Sequence, residues 1–264
     1  MIEVVQRAGP IILGVPHTGT DIPLDMRGML NERGLEIADT DWNIHGLYSG
    51  LLDGVTTVRT PIHRYVIDVN RAPGGESLYP GQNTTGLCPL TDFDGLPIYH
   101  TGAEPDADEV ERRRVAYHQP YHEALSTQIA RVRAQHGVAV LYDCHSIRSA
   151  IPYLFDGVLP DFNIGTNLST SCADAVEKTV DEICRSASGY STILNGRFKG
   201  GWTTRHYGDP KAGVHAIQME LAQSTYMQEM PPWTYDTDKA DALRPYLSKI
   251  LNALQQFVQT GGLL

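Results

Sequence analysis

The strongest constraint on the fold is a set of short, β-branched apolar runs that stop abruptly at a reactive side chain. "IILGV" (11–15) is followed by Pro16 and His17, and "VAVLY" (138–142) by Asp143, Cys144, His145 and Ser146. "VHAIQM" (214–219) is followed by Glu220. The first two, continuous and without polar alternation, are expected of strands buried on both faces, and the third reads as a last strand ending in an acid. Helical patterns lie between them. "ADTDWNIHGLYSGLLDG" (38–54) places Ile44, Leu47, Leu51 and Leu52 on one helix face, with Asp39 or Thr40 as N-cap. Residues 106–137 carry acids first and arginines later, with an interruption at Pro120 and Gly137 as C-cap. Residues 163–184 read as a loop followed by a helix, and an amphipathic helix from Tyr235 to Val258 closes the chain. Residues 56–75 suggest two short strands around Pro61, the second, Arg64–Val69, ending in Asn70-Arg71. The Gly/Pro-rich stretch 74–106 reads as a long loop walling a pocket. This alternation predicts an α/β fold: one domain over residues 1–264 with a mixed, largely parallel sheet flanked by helices.

Composition narrows the function. With 264 residues, 41% apolar and 20% charged, the chain has the profile of a soluble globular protein. A net charge of −10 argues against a nucleic-acid surface. The four cysteines, Cys88, Cys144, Cys172 and Cys184, show no CxxC spacing and suit a reducing cytoplasm. "MIEVVQRAGP" lacks a signal-peptide pattern, and no apolar run approaches the ~20 residues of a membrane span. The expectation is a cytoplasmic protein with a small-molecule partner, without nucleic acid or membrane. Nothing in the sequence fixes the oligomeric state.

In α/β sheets, ligands bind in the crevice beyond the carboxyl ends of the strands. His17, Asn70-Arg71, Asp143-His145 and Glu220 all fall at such ends. Cys144 and His145 are adjacent on an extended segment and point to opposite faces, so they do not make a nucleophile–base pair. The chain has no Gly-x-Ser-x-Gly elbow, no Walker loop and no GxGxxG opening a helix. A hydrolytic zinc site needs three His/Asp/Glu ligands and a position open to water. His17 and His145 meet the positional requirement, with Asp39 or Asp41 as candidate acids. Glu220 is a candidate general base or acid, and Arg64, Arg71 and Arg205 are candidate forks for a substrate carboxylate. His118 and His122, in "YHQPYHEAL", lack the glutamate of an HExxH motif and read as pocket or structural histidines.

Seven stretches in order resemble the N-formylglutamate amidohydrolases: "VPHTGTDIP", "TDWNIHGLY", "VIDVNRAP", "YHQPYHEAL", "LYDCHS", "RFKGGWTTRHYGDP" and "IQMELAQSTYM". The likeness runs from about residue 10 to about residue 228. That family is more distantly similar to the zinc carboxypeptidases and aspartoacylases, and shares their phosphorylase/hydrolase-like α/β fold. The resemblance implies one divalent metal ion, Zn²⁺, on His17 and His145. The carboxypeptidase HxxE pattern is absent, with Thr20 and Asp21 where the acid would stand. The third ligand is therefore taken to be Asp41 rather than Asp21 or Asp39.

The resemblance also implies roles for the surrounding residues. Asn70 and Arg71 would hold a substrate carboxylate, and Glu220 would be the general base. Arg64 would polarise the scissile carbonyl or hold a second carboxylate. Thr204, Arg205 and His122 would help bind a dicarboxylic substrate. The implied reaction is hydrolysis of N-formyl-L-glutamate, or a close N-acyl amino acid, to formate and L-glutamate. The rivals are hydrolysis of another N-acyl amino acid or peptide amide, and non-catalytic binding of an acidic amino acid. The second rival has no use for His17, His145 and Glu220 together. Asp143 shares a face with His145 and is placed to orient its imidazole.

Overall fold

The computed structural model describes residues 1–76, 81 and 83–263. Part of the expected 74–106 loop, residues 77–80 and 82, lies outside the described residues. In chain order the elements begin with β1 (Glu3–Val5), β2 (Ile11–Val15), α1 (Leu24–Arg27), α2 (Glu32–Leu35), α3 (Ile44–Tyr48) and β3 (Thr56–Arg59). Next come α4 (Ala107–Arg113), a π-helical turn (Arg114–His118), α5 (Gln119–His136), β4 (Ala139–Ile147) and β5 (Phe162–Gly165). The chain ends with α6 (Asp174–Arg185), β6 (Thr192–Leu194), α7 (Trp202–Tyr207), β7 (Val214–Ala222) and α8 (Thr237–Gln259).

The seven strands form one sheet in the order β1-β3-β2-β4-β7-β5-β6. The contiguous pairs β3-β2, β2-β4 and β4-β7 are parallel, as is β5-β6, while β1 and β5 run antiparallel to β3 and β7. The sheet is therefore mixed and largely parallel. One face packs on α3, α6 and α8 through Leu47, Val176, Val180, Leu243 and Leu247. The other packs on α5 through Tyr121, Leu125, Ile129 and Val132. Both faces being covered explains why β2 and the first half of β4 read as unbroken apolar runs. Among the described residues, no helix is long and apolar enough to cross a membrane.

Several local expectations change. Arg64–Val69 is not a strand but a series of turns, with Val66 N–H donating to the His63 carbonyl and Arg71 N–H to that of Asp68. Its β-branched residues instead report burial, since Tyr65, Val66, Ile67 and Val69 all sit in the core beneath α5. The helix expected over 38–54 is confined to Ile44–Tyr48. Ile37 and Asn43 adopt positive φ angles of 46° and 60°, and Asn43 takes the N-cap position without a side-chain cap bond. Asp39 and Asp41 are thereby released from capping and turn inward. The interruption near Pro120 is the π turn, where Gln119 N–H reaches back to the Arg114 carbonyl just before the residue that has no N–H to give. Strands β1, β5 and β6 are three or four residues long and carried no readable period.

Candidate functional site

The site stands at the carboxyl ends of the three adjacent parallel strands β2, β4 and β7. His17 follows β2 by two residues, and His145 near the end of β4 is the Cα partner of Glu220 on β7. Side-chain alternation sends Asp143 and His145 toward the α5 face and Cys144 into the opposite core. Burial pushes the Cys144 thiol well above its ordinary pKa, which removes it as a nucleophile.

Three ligand atoms converge here. His17 Nδ1 lies 3.2 Å from His145 Nδ1, and Asp41 Oδ2 lies 3.3 Å from His145 Nδ1 and 3.7 Å from His17 Nδ1. Among the described residues, His17, Asp41 and His145 form the one His/Cys/Asp/Glu group close enough to share a metal ion. Asp21 instead sits in a bridge with Ile62. Asp39 accepts bonds from the Tyr65 hydroxyl at 2.7 Å and the Phe93 N–H at 2.8 Å.

The far side of each imidazole meets a carboxylate. His17 Nε2 is 2.7 Å from Asp68 Oδ1, and His145 Nε2 is 3.0 Å from Asp143 Oδ2. A carboxylate accepts, so the proton sits on Nε2 of His17 and its Nδ1 presents a lone pair to the convergence point. Asp41 Oδ2 also accepts from the Ser146 N–H at 3.1 Å, which aims it at the histidines. Three acceptors facing one another require positive charge between or beside them. Arg64 supplies some, its Nη2 contacting His17 Nδ1 and lying 3.7 Å from Asp41 Oδ1. His145 holds a proton too. Burial alone would lower its pKa, but Asp143, Asp41 and Glu220 outweigh that and raise it well above the ordinary value. Asp41 Oδ1 is buried without a hydrogen-bond partner, a donor atom left available. Two imidazoles and a carboxylate, with carboxylates beside the far ring nitrogens, could hold a divalent metal ion.

Glu220 is buried beside this point. Burial pushes its pKa up to about 8 against the pull of His145, with Asp41 adding repulsion. Its Oε2 accepts from Gln218 Nε2 at 3.1 Å, and Gln218 Oε1 accepts from the Gly201 N–H at 2.6 Å. Gly201 also lets this segment lie close against Asn70, because a Cβ there would meet Asn70 Nδ2 at 2.3 Å. Asn70 is held by the same segment. Its Oδ1 accepts from the Thr203 N–H at 2.9 Å, which directs its Nδ2 toward His145 Nε2, 3.2 Å away.

A cavity of about 240 Å³ opens onto this cluster. His17, His145, Glu220, Arg64, Asn70 and Arg71 line it, and Phe93, Ile147, Leu154 and Phe198 form its apolar wall. The Arg64 guanidinium lies 5.0 Å over the Phe93 ring. Arg71 is braced by the Thr85 carbonyl and hydroxyl at 2.9 and 3.0 Å.

Asp41, His122, Thr204 and Arg205, all picked out in the sequence, stand outside the lining. His122 lies behind the Asn70-Arg71 segment, its Nε2 on the Val69 carbonyl at 2.8 Å and its Nδ1 on the Tyr207 hydroxyl at 3.0 Å. Thr204 is fully buried, and Arg205 Nε donates to the Gly200 carbonyl at 2.8 Å. Asp68, Gln218 and Arg197 were not picked out from the sequence. Asp68 and Gln218 each precede a recognised residue by two, so the i, i+2 relation was their available signal.

Residues 9–227 match the family model for N-formylglutamate amidohydrolase. The chain belongs to that family. It is 45% identical over 246 residues to the N-formylglutamate deformylase of Pseudomonas aeruginosa, covering 93% of this chain and 92% of the relative. The N-formylglutamate deformylase of Pseudomonas putida matches with the same identity and coverage. The solved N-formylglutamate amidohydrolase of Ralstonia eutropha JMP134 superposes with a TM-score of 0.82 at 24% identity, covering 98% of each chain. A protein of Agrobacterium tumefaciens gives 0.71 at 18% identity, covering 98% of this chain and 96% of its own. At these identities the two structures speak for the amidohydrolase fold alone.

Proposed function

We propose that this chain is a zinc-dependent amidohydrolase that cleaves N-formyl-L-glutamate, or a close N-acyl amino acid, into the free acid and the amino acid. The observation that carries the reading is the convergence of His17, Asp41 and His145, with both histidines and Glu220 lining one arginine-lined cavity. The curated relatives named as deformylases support the choice of substrate. His17, Asp41 and His145 hold the ion, and Asp68 and Asp143 fix the imidazole tautomers. A zinc ion held there supplies Lewis-acid activation of water and of the amide carbonyl.

The remaining work falls to side chains. Glu220 accepts a proton from the attacking water at an Oε atom, held in line by Gln218. Its burial makes that carboxylate basic enough to take the proton near neutral pH. The water oxygen bonds to the formyl carbon, and Arg64 faces the oxygen that becomes negative. Glu220 then returns the proton to the departing amine nitrogen as the C–N bond breaks, giving formate and L-glutamate. Arg71, with Asn70 beside it, places the α-carboxylate, and the apolar wall excludes water from the acyl group.

Release of the free amino acid is the test, with formate or acetate as the co-product, measured on the zinc-supplemented protein against a panel of N-formyl and N-acetyl amino acids. N-formyl-L-glutamate is expected to lead the panel, with activity removed by chelation and restored by zinc. Absence of amino-acid release from every member would overturn the reading. So would full turnover in metal-stripped protein.

A further inference from the structure

We propose that Arg197 receives the second carboxylate of a dicarboxylic amino-acid substrate and sets the preference for glutamate over neutral side chains. The inference rests on the amidohydrolase reading of the same cavity and adds to it the residue that selects the side chain. Among the described residues, three guanidiniums line the cavity: Arg64, Arg71 and Arg197. Arg64 is the deepest, committed to His17 and Asp41 at the reacting end. Arg71, next to Asn70, serves the first carboxylate. Arg197 is the third, carried on the segment between β6 and α7 at the start of the "RFKGGWTTRHYGDP" stretch.

Its surroundings suit that role. Arg197 Nε donates to the Leu154 carbonyl at 3.2 Å and Nη2 to the Asn83 carbonyl at 3.1 Å. Its guanidinium carbon lies 5.7 Å from the centre of the Phe198 ring. Such contacts help fix the direction of the fork before substrate arrives, which reduces the ordering cost of binding. Leu154 and Phe198 also line the cavity. They offer an apolar surface to the methylenes between two carboxylates and lower the local dielectric in which an ion pair forms. Glu76 is in the lining too. Its charge would repel a side-chain carboxylate that had no cation of its own, so glutamate selectivity here needs a guanidinium. Asn83 and Leu154 belong to two separate loops, so a purely structural strut is the rival role for Arg197.

The test compares N-formyl-L-glutamate with N-formyl-L-glutamine, its neutral isostere, in wild type, Arg197→Gln and Arg197→Lys. Arg197→Gln is expected to raise KM for the glutamate substrate at least about tenfold, the loss of a charge-assisted pair. Its kcat should change little, and kcat/KM for the glutamine substrate should hold, so the preference collapses. Arg197→Lys, which keeps the charge, should retain part of it. That variant also decides the matter if Arg197→Gln does not fold. A preference unchanged in both variants overturns the proposal, as does a parallel fall on both substrates, the signature of a strut. Calorimetric binding of L-glutamate and L-glutamine provides a readout independent of turnover. If wild type released formate from neither substrate, the amidohydrolase reading would fall. Arg197 would still be assigned by a glutamate-over-glutamine binding preference that Arg197→Gln abolishes, and refuted by equal binding.

Discussion

A single methyl group added at Gly14 should disable the site from behind. Gly14 is the Cα partner of Asp143 across the β2-β4 ladder, and a Cβ there would meet Asp143 Oδ1 at 3.0 Å. Leu141 Cδ1 and the Tyr121 hydroxyl lie 3.5 Å from the same point, so the methyl has no free side to lean toward. The strands cannot part without breaking parallel pairing on both edges of β2, so Asp143 must give way. Asp143 Oδ2 stands 3.0 Å from His145 Nε2, and a shift of a few tenths of an ångström is felt at that contact. Overpacking a fitted interior costs about 1–3 kcal/mol. Replacing glycine recovers about 0.4–1 kcal/mol through the unfolded chain. Gly14→Ala should therefore lose about 1–2 kcal/mol of stability in urea unfolding of the metal-stripped protein. Its zinc affinity, by competition with a chromophoric chelator, should fall about 10- to 100-fold, the usual cost of losing a carboxylate behind a ligating histidine. Asp143→Asn should weaken zinc binding similarly, and adding Gly14→Ala to it should cost little more, because both act through one contact. Wild-type zinc affinity in Gly14→Ala, or full additivity in the double variant, would refute the route through Asp143.

Glu220→Gln should keep zinc binding and lower kcat about 10²- to 10⁴-fold, and near-wild-type turnover would remove Glu220 as the base. Asp68→Asn should lose about 10- to 100-fold in zinc affinity, because the amide no longer holds the His17 proton on Nε2; NMR of the imidazole nitrogens would read the tautomer directly. Burial holds His63 and His122 neutral, with pKa values pushed down to about 3, His122 further lowered by His118. Both are below the unfolded value, so the unfolded chain binds the extra protons. Stability should then fall as pH drops from about 6.5 toward 3, by roughly 1.4 kcal/mol per pH unit for each histidine. His122→Asn should remove one proton's share of that slope, measured by urea unfolding between pH 7 and 5, and an unchanged slope would count against the assignment.

How much of this was legible follows from where each residue sits. The ends of β2 and β4 could be read because a strand buried on both faces leaves an unbroken apolar run, and β7 because its run is mostly apolar up to Glu220. A polar residue closing such a run is conspicuous. Arg64–Val69 has the same composition and is not a strand, since its residues are buried beneath α5 rather than paired in the ladder. Hydrophobicity records burial, and only neighbours in space distinguish a strand from a packed turn. Asp41 was one of three nearby acids, and its separation from them depends on Asn43 at positive φ and on the Ser146 N–H, a contact across 105 residues.

The same division explains why Arg197 escaped notice while His145 did not. His17, His145 and Glu220 stand on or just beyond adjacent strands, whose spacing is set by the backbone ladder and therefore by local pattern. The groups assigned to selection sit on the turns around Asn70 and the segments near Asn83, Leu154 and Arg197, brought together by hydrogen bonds between parts of the chain with no common period. Substitutions in those segments can alter which side chain is accepted without moving His17, His145 or Glu220. A chain on this scaffold can thus keep the metal cluster and change its substrate. That is why discrimination between glutamate and glutamine at Arg197 tests the function more sharply than activity alone.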